Sequence, residues 1–414
     1  MKGAADGGGM PGGKSGQRNQ RRIGVLAAVL WVLVCWMGLR PVGTWAAEAP
    51  SDGLFDAVEA GLSGQQVEDM QEIDRFLAQD TALAGTEVSF SELVKLLMQG
   101  EGGKAGEMIV DGVRQSLFQE LEQGIHVTGQ LLMLGVIGAV FANFSGIFSG
   151  GQMAETGFFL TYLMAFALMA GTFFESVEVA GGVLGQQVLF MRVLMPAYAA
   201  AVAWAGAAGA SVAWYELVLF LISGVQWLYM TLLLPGIRVY LMLVLAGNLV
   251  RQDMLSKMTD LLKSGIQWGM RSLLGVVLGF QLIQGMVLPY ADAVKTGGVQ
   301  KLLQVIPGVG TGAAAVARLM LGSGVLIKNT VGAAAVVILL LLSLVPLLKL
   351  AVLLFLYRGA AAVLEPVADK RLVACISGVA DGQKMLLGLA FSGLFLFVLT
   401  IALICLGTNT ANLI

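Results

Sequence analysis

The sequence predicts an all-α, polytopic membrane helical bundle of six to ten spans, preceded by a small helical extracytoplasmic segment. Three observations predict it. From residue 127 onward one apolar stretch follows another, and the charges fall almost wholly into the gaps between them. Of 414 residues, 57% are hydrophobic and 13% charged, against about 25% charged in an ordinary soluble domain. Charge is also divided along the chain: residues 48–126 hold sixteen acidic and four basic side chains, residues 127–414 ten acidic and fifteen basic. The two parts therefore sit in different media. Roughly 18–20 apolar residues cross a hydrocarbon core about 30 Å thick, and in lipid every backbone N–H and C=O must find its partner inside the segment, so these stretches are helices.

Residues 1–49 read as a basic leader and signal peptide. Residues 1–20 are glycine-rich and basic, Arg21 and Arg22 follow, and an apolar run over 23–39 leads to Thr44-Trp45-Ala46-Ala47-Glu48-Ala49, with small residues for cleavage after Ala46 or Ala49. An uncleaved anchor is the alternative, and either outcome places residues 50–126 outside the cytoplasm. Gly8 to Ser15 fits the phosphate-loop pattern G-x-x-x-x-G-K-S. It lacks the preceding strand and following helix that a phosphate cradle needs, so no nucleotide site is expected.

Residues 50–126 form the acidic helical extracytoplasmic segment. Ser89-Phe90-Ser91-Glu92 has capping-box spacing, with Leu93, Leu96 and Leu97 as the apolar stripe behind it. A second stripe, Ile109, Val113, Leu117, Leu121 and Ile125, leads into the membrane region. So short a segment with few large aromatics makes a marginal core. Small helices lying against the membrane or a partner are expected, with a merely solvated acidic face as the alternative.

Residues 127–414 form the polytopic domain. Stretches rich enough to cross are 127–148, 157–174, 217–234, 272–288, 331–345 and 385–406. Four others are doubtful: 193–213 and 306–327 are rich in Ala and Gly and carry a proline near their start, and 237–250 and 350–364 are as short as re-entrant or interfacial helices. Arg251, Lys257, Lys263 and Arg271 share one connection and Arg358, Lys370, Arg371 and Lys384 another, which the positive-inside rule makes cytoplasmic. With residue 126 outside, that sidedness holds for six spans or for ten, and both leave the C-terminus outside.

Pro196 and Pro235 are 39 residues apart, as are Pro307 and Pro346, and Arg238 or Lys349 follows each second proline by three residues. The block 264–275 matches 377–388 at six of twelve positions. These matches suggest an internal duplication, 157–267 and 268–384. Paired repeats are common in transporters without proving transport.

The candidate membrane-core or lining positions are Pro235, Arg238, Pro346, Lys349, Pro307, Gly308 and Gly310. Arg238 and Lys349 lie just past helix-breaking prolines in apolar surroundings, where a charge costs about 2.5–3.5 kcal/mol; the alternative is snorkelling to an interface. Pro307-Gly308-Val309-Gly310 could unwind as a pore loop or form a simple turn. Gly265/Gly269 and Gly378/Gly382 are G-x-x-x-G pairs that let helices approach closely. His126 is the single histidine and makes no metal site on its own. Cys35, Cys375 and Cys405 give no disulfide framework. No catalytic arrangement, cofactor or nucleic-acid partner is expected, and membrane lipid is.

The sequence from Ile306-Pro307-Gly308-Val309-Gly310 through Gly324 to Asn329, the leucine run to Val345-Pro346-Leu347-Leu348-Lys349-Leu350, and Glu365-Pro366-Val367-Ala368-Asp369-Lys370-Arg371 resembles the stage III sporulation protein AE family. The signal, acidic segment and polytopic region are similar too. The resemblance implies a non-enzymatic subunit of a channel or feeding complex in the mother-cell membrane around the forespore. It further implies assembly with the other stage III sporulation A-operon proteins and a forespore membrane partner, in support of late forespore gene expression. A stand-alone secondary transporter of a small solute and a non-conducting scaffold are the alternatives.

Overall fold

A computed structural model of the chain describes residues 73, 75, 94, 118, 121, 122, 124–140, 152–204, 209–249, 255–303 and 310–407. The leader, the signal and the capping box at 89–92 lie outside them. Apart from residue 255 and residues 365–369, all described residues are helical. The helices are α1 (Gly124–Val140), α2 (Gln152–Trp204), α3 (Gly209–Leu228), α4 (Leu234–Leu249), α5 (Ser256–Leu303), α6 (Gly310–Leu364) and α7 (Lys370–Gly407). A π-helical turn, Tyr229–Leu233, joins α3 to α4 without a break.

Among the described residues, five helical segments are long and apolar enough to cross a membrane: Phe159–Pro196, Leu217–Asn248, Ser256–Ile283, Lys328–Leu364 and Lys370–Leu403. The 38 residues of the first reach about 57 Å at 1.5 Å per residue, well beyond a hydrocarbon core of about 30 Å. Such helices extend past the lipid on at least one side. Helix α1 is apolar but shorter.

Three contacts along α7 fix the direction of its neighbours. Near its start, Cys375 lies beside Tyr162 of α2, whose hydroxyl donates to Leu245 O at the end of α4. Slightly further on, Asp381 meets Lys263 from the start of α5 and Arg358 from the end of α6. At the far end, Cys405 lies beside Tyr198 of α2 and accepts from Lys328 Nζ through its carbonyl. Helices α2, α5 and α7 thus run one way, and α4 and α6 the other. Short connections make such an antiparallel arrangement the natural one. The α6–α7 connection is set by Asp369, whose carboxylate accepts the Arg371 backbone N–H at 2.8 Å and so caps the first turn of α7.

Helix α7 is the most enclosed. Cys375, Ile376, Val379, Ala380, Leu386, Leu389, Ala390, Leu396 and Phe397 are fully buried, and they occupy more than one face of the helix. A helix apolar all round belongs inside a bundle. Close approach is built in by glycine: a Cβ at 378 would lie 2.5 Å from Val244 Cγ1, and one at 382 would lie 2.6 Å from Phe173 Cε2. Helix α1 packs the same way, with Gly124 against Leu356 of α6 and Gly138 against Thr161 of α2.

Pro196, Pro235 and Pro346 do not break helices as the sequence suggested. Pro346 lies inside α6, so 331–345 and 350–364 are parts of one helix. Pro196 lies inside α2, which joins 157–174 to the start of 193–213. Pro235 follows the π-helical turn in a continuous run from 209 to 249, which likewise joins 217–234 to 237–250. Proline removes one N–H and crowds the carbonyl four residues back; a π-turn ahead of Pro235 widens the backbone where that crowding falls, and helix-bound proline is tolerated in lipid where neighbours satisfy the freed groups. Five of the six stronger stretches consequently fall on separate helical runs, and the described part of the sixth, 127–140, lies in α1. The boundaries proposed for a duplication, 267/268 and 384, fall inside α5 and α7.

Candidate functional site

The positions singled out from the sequence do not gather into one site. Pro235 is exposed beside the π-turn and Arg238 is exposed one turn on. Pro346 is half-buried. Lys349, also half-buried, donates to the exposed Glu175 of α2 at 2.8 Å, so its charge is paired. Gly310 starts α6, while Pro307 and Gly308 lie outside the described residues. Of the two G-x-x-x-G pairs, Gly378 and Gly382 make close helix contacts; a Cβ at Gly265 would meet nothing within 4 Å. His126 is exposed on α1. Among the described residues, no group of three His, Cys, Asp or Glu side chains is placed to hold a metal ion.

What the bundle does bring together is a set of uncharged polar side chains along α7. Gln383 Nε2 donates to Ser176 Oγ of α2 at 2.6 Å. About 15 Å further along the helix, Gln187 of α2 and Gln226 of α3 lie against Gly393, and Ser343 of α6 pairs with Gln187. Gln187 Nε2 donates to Ser343 Oγ at 2.9 Å, and Gln226 Nε2 approaches Gln187 Oε1 at 3.5 Å. A Cβ at 393 would sit 2.6 Å from Gln187 Oε1 and 2.8 Å from Gln226 Nε2; only glycine lets these amides lie against the α7 backbone. In a third tier, Gln281 of α5 donates to Thr400 Oγ1 at 2.6 Å. All four glutamines are buried. Leaving such a group without a partner costs about 1–3 kcal/mol, so the pairs fix which faces of α2, α3, α5 and α6 meet α7.

Charge is grouped at one level of the bundle, around Asp381. Lys263 Nζ lies 2.5 Å and Arg358 Nη2 2.7 Å from its two carboxylate oxygens, tying α5 and α6 to α7. Tyr357, next to Arg358, hydrogen-bonds Thr172 of α2, and the Lys349–Glu175 pair lies nearby in sequence on the same two helices. Sequence reasoning missed both the glutamine tiers and the Asp381 pairings. The available signal was glutamine within apolar runs, which must be paired once buried.

A multi-helix membrane protein whose helices are locked by buried amide pairs and a charged layer is the class defined by these features. The sequence profile of the stage III sporulation protein AE family matches residues 88–408, and the chain belongs to that family. A relative in Bacillus subtilis (strain 168), also called stage III sporulation protein AE, is 22% identical over 380 residues, covering 86% of this chain and 95% of that protein. No solved structure matches the chain.

Proposed function

We propose that this chain is a membrane subunit of the sporulation channel or feeding complex that links mother cell and forespore. The match to the family over residues 88–408 carries the reading, and five long apolar helices support it. On this reading the chain makes six crossings of the mother-cell membrane around the forespore, through α1, α2, the α3–α4 run, α5, α6 and α7. Residues 1–49 are leader and signal. The acidic segment 50–126 and the C-terminus face the space between the two membranes, and the basic connections at 250–255 and 365–371 face the mother-cell cytoplasm. Its partners are the other stage III sporulation A-operon proteins and a forespore membrane protein. It catalyses no reaction; its bundle is the membrane core on which the complex assembles, and late forespore gene expression depends on it.

Tagging the chain during sporulation and identifying co-purifying proteins tests the proposal. The operon proteins and a forespore membrane protein are the expected companions, and a chain that purifies with none of them overturns it. Solute uptake into liposomes by the purified chain alone, abolished by charge reversal at Arg238 and Lys349, would indicate a self-sufficient transporter instead.

A further inference from the structure

We propose that the middle tier, at Gly393, is a binding site for a small uncharged hydrogen-bond donor, namely water, held between Gln226 and Tyr229 inside the helix bundle. This inference concerns the bundle itself and stands independently of any role in sporulation. The tier draws on four helical runs. Gln187 comes from α2, Gln226 and Tyr229 from the α3–α4 run, Ser343 from α6, and Ser392 with Gly393 from α7. Gln187, Gln226, Tyr229 and Ser343 are all fully buried.

The tier leaves one carbonyl oxygen and one hydroxyl open. Gln187 Nε2 goes to Ser343 Oγ, Gln226 Nε2 is directed at Gln187 Oε1, and Ser392 Oγ donates to Leu389 O. Gln226 Oε1 closes no hydrogen bond and the Tyr229 hydroxyl none of full geometry; the Ser392 hydroxyl lies beside Tyr229, but its proton goes to Leu389 O. Buried polar atoms in folded proteins are nearly always satisfied, by protein or by ordered water. Gln226 and Tyr229 are three residues apart on one helix face, at the point where the π-helical turn begins. Such single turns recur at functional sites.

The chemistry of the tier selects the ligand. An anion needs several donors, and beside an open carbonyl oxygen the tier leaves only the Tyr229 O–H free of a direct partner. A bare monovalent or divalent cation needs about six oxygen ligands and usually a carboxylate; the tier offers one open carbonyl oxygen and a hydroxyl, with no acid beside them. A neutral molecule that donates to Gln226 Oε1 and accepts from the Tyr229 O–H fits both open groups, and water is the one small enough for a site between packed helices. The bundle would then hold a hydrated point midway along α7, where α3 can move relative to α7 without baring a wholly apolar face.

Radiolytic hydroxyl-radical labelling of the full-length protein in lipid nanodiscs tests this, because radicals formed from bound water modify the side chains it touches. Tyr162, Tyr229 and Tyr240 are equally buried, but Tyr162 donates to Leu245 O and Tyr240 to Gly378 O. Tyr229 is expected to be labelled several-fold faster than the other two, and Gln226→Leu to bring it down to their level. Equal labelling of the three tyrosines in the unsubstituted protein overturns the proposal, whether or not the Gln226→Leu variant folds. Labelling of Tyr229 that changes when sodium is replaced by choline would assign the site to a cation and overturn it as well.

Discussion

Alanine at Gly382 and alanine at Gly265 should move stability in opposite directions. The two glycines belong to blocks that match each other in sequence, and both are in helices, where glycine is destabilising by about 0.5–1 kcal/mol relative to alanine. At Gly265 a new Cβ meets nothing within 4 Å, so Gly265→Ala collects that gain. At Gly382 the new Cβ lies 2.6 Å from Phe173 Cε2 and 2.9 Å from Cζ, and the Phe173 ring is fully buried with no room to swing aside. Overpacking of this kind costs about 1–3 kcal/mol; after the helix gain, Gly382→Ala should lose about 1–2 kcal/mol, roughly a 5- to 30-fold fall in the folded-to-unfolded ratio. Unfolding of the purified protein by sodium dodecyl sulfate in mixed micelles, followed by tryptophan fluorescence, measures both variants. A Gly382→Ala protein as stable as the Gly265→Ala protein would refute the close packing of α7 on α2.

Other substitutions probe the polar ties of α7 in the same assay. Asp381→Asn weakens two ion pairs whose cations are partly exposed and should cost about 1 kcal/mol; Lys263→Met should then cost less in the Asp381→Asn background than alone, and equal costs would deny the pairing. Ser176→Ala strands the buried Gln383 amide at a cost on the order of 1 kcal/mol, and adding Gln383→Leu should recover most of it. Lys349→Glu sets a second carboxylate beside Glu175 and should lower the yield of folded protein from membranes. Exchanging the pair, Glu175→Lys with Lys349→Glu, should restore that yield, and failure to do so would mean the two side chains do not meet.

The helices were legible in the sequence because apolar runs of spanning length have no alternative in lipid. Five of the six stronger stretches fall on separate helical runs, and 127–148 lies in α1 as far as residue 140. The prolines misled. Composition marks Pro235 and Pro346 as helix breakers, but a π-turn accommodates the first and α6 runs straight through the second, and neither accommodation is encoded next to the proline in a readable way. Lys349 read as a lining or snorkelling charge, and its ion pair was not visible because the partner Glu175 lies 174 residues away in sequence. The glutamine tiers were hidden for the same reason. Gln187, Gln226 and Ser343 become a site only when three helices turn these faces to Gly393, and hydropathy along one helix does not say which of its faces a partner covers.

Disulfide trapping between α6 and α7 tests the antiparallel packing around α7 most directly. A Cβ at 332 would lie 2.6 Å from the native Cys405 Sγ, near the separation of about 3 Å between Cβ and the far sulfur that disulfide geometry sets. In a full-length protein carrying Cys35→Ser, Cys375→Ser and Gly332→Cys, with a protease site placed in the 365–369 connection, mild oxidation in membranes should leave the two cleaved fragments covalently joined. Fragments that separate, although both thiols react with maleimide once the protein is unfolded, would contradict the bundle.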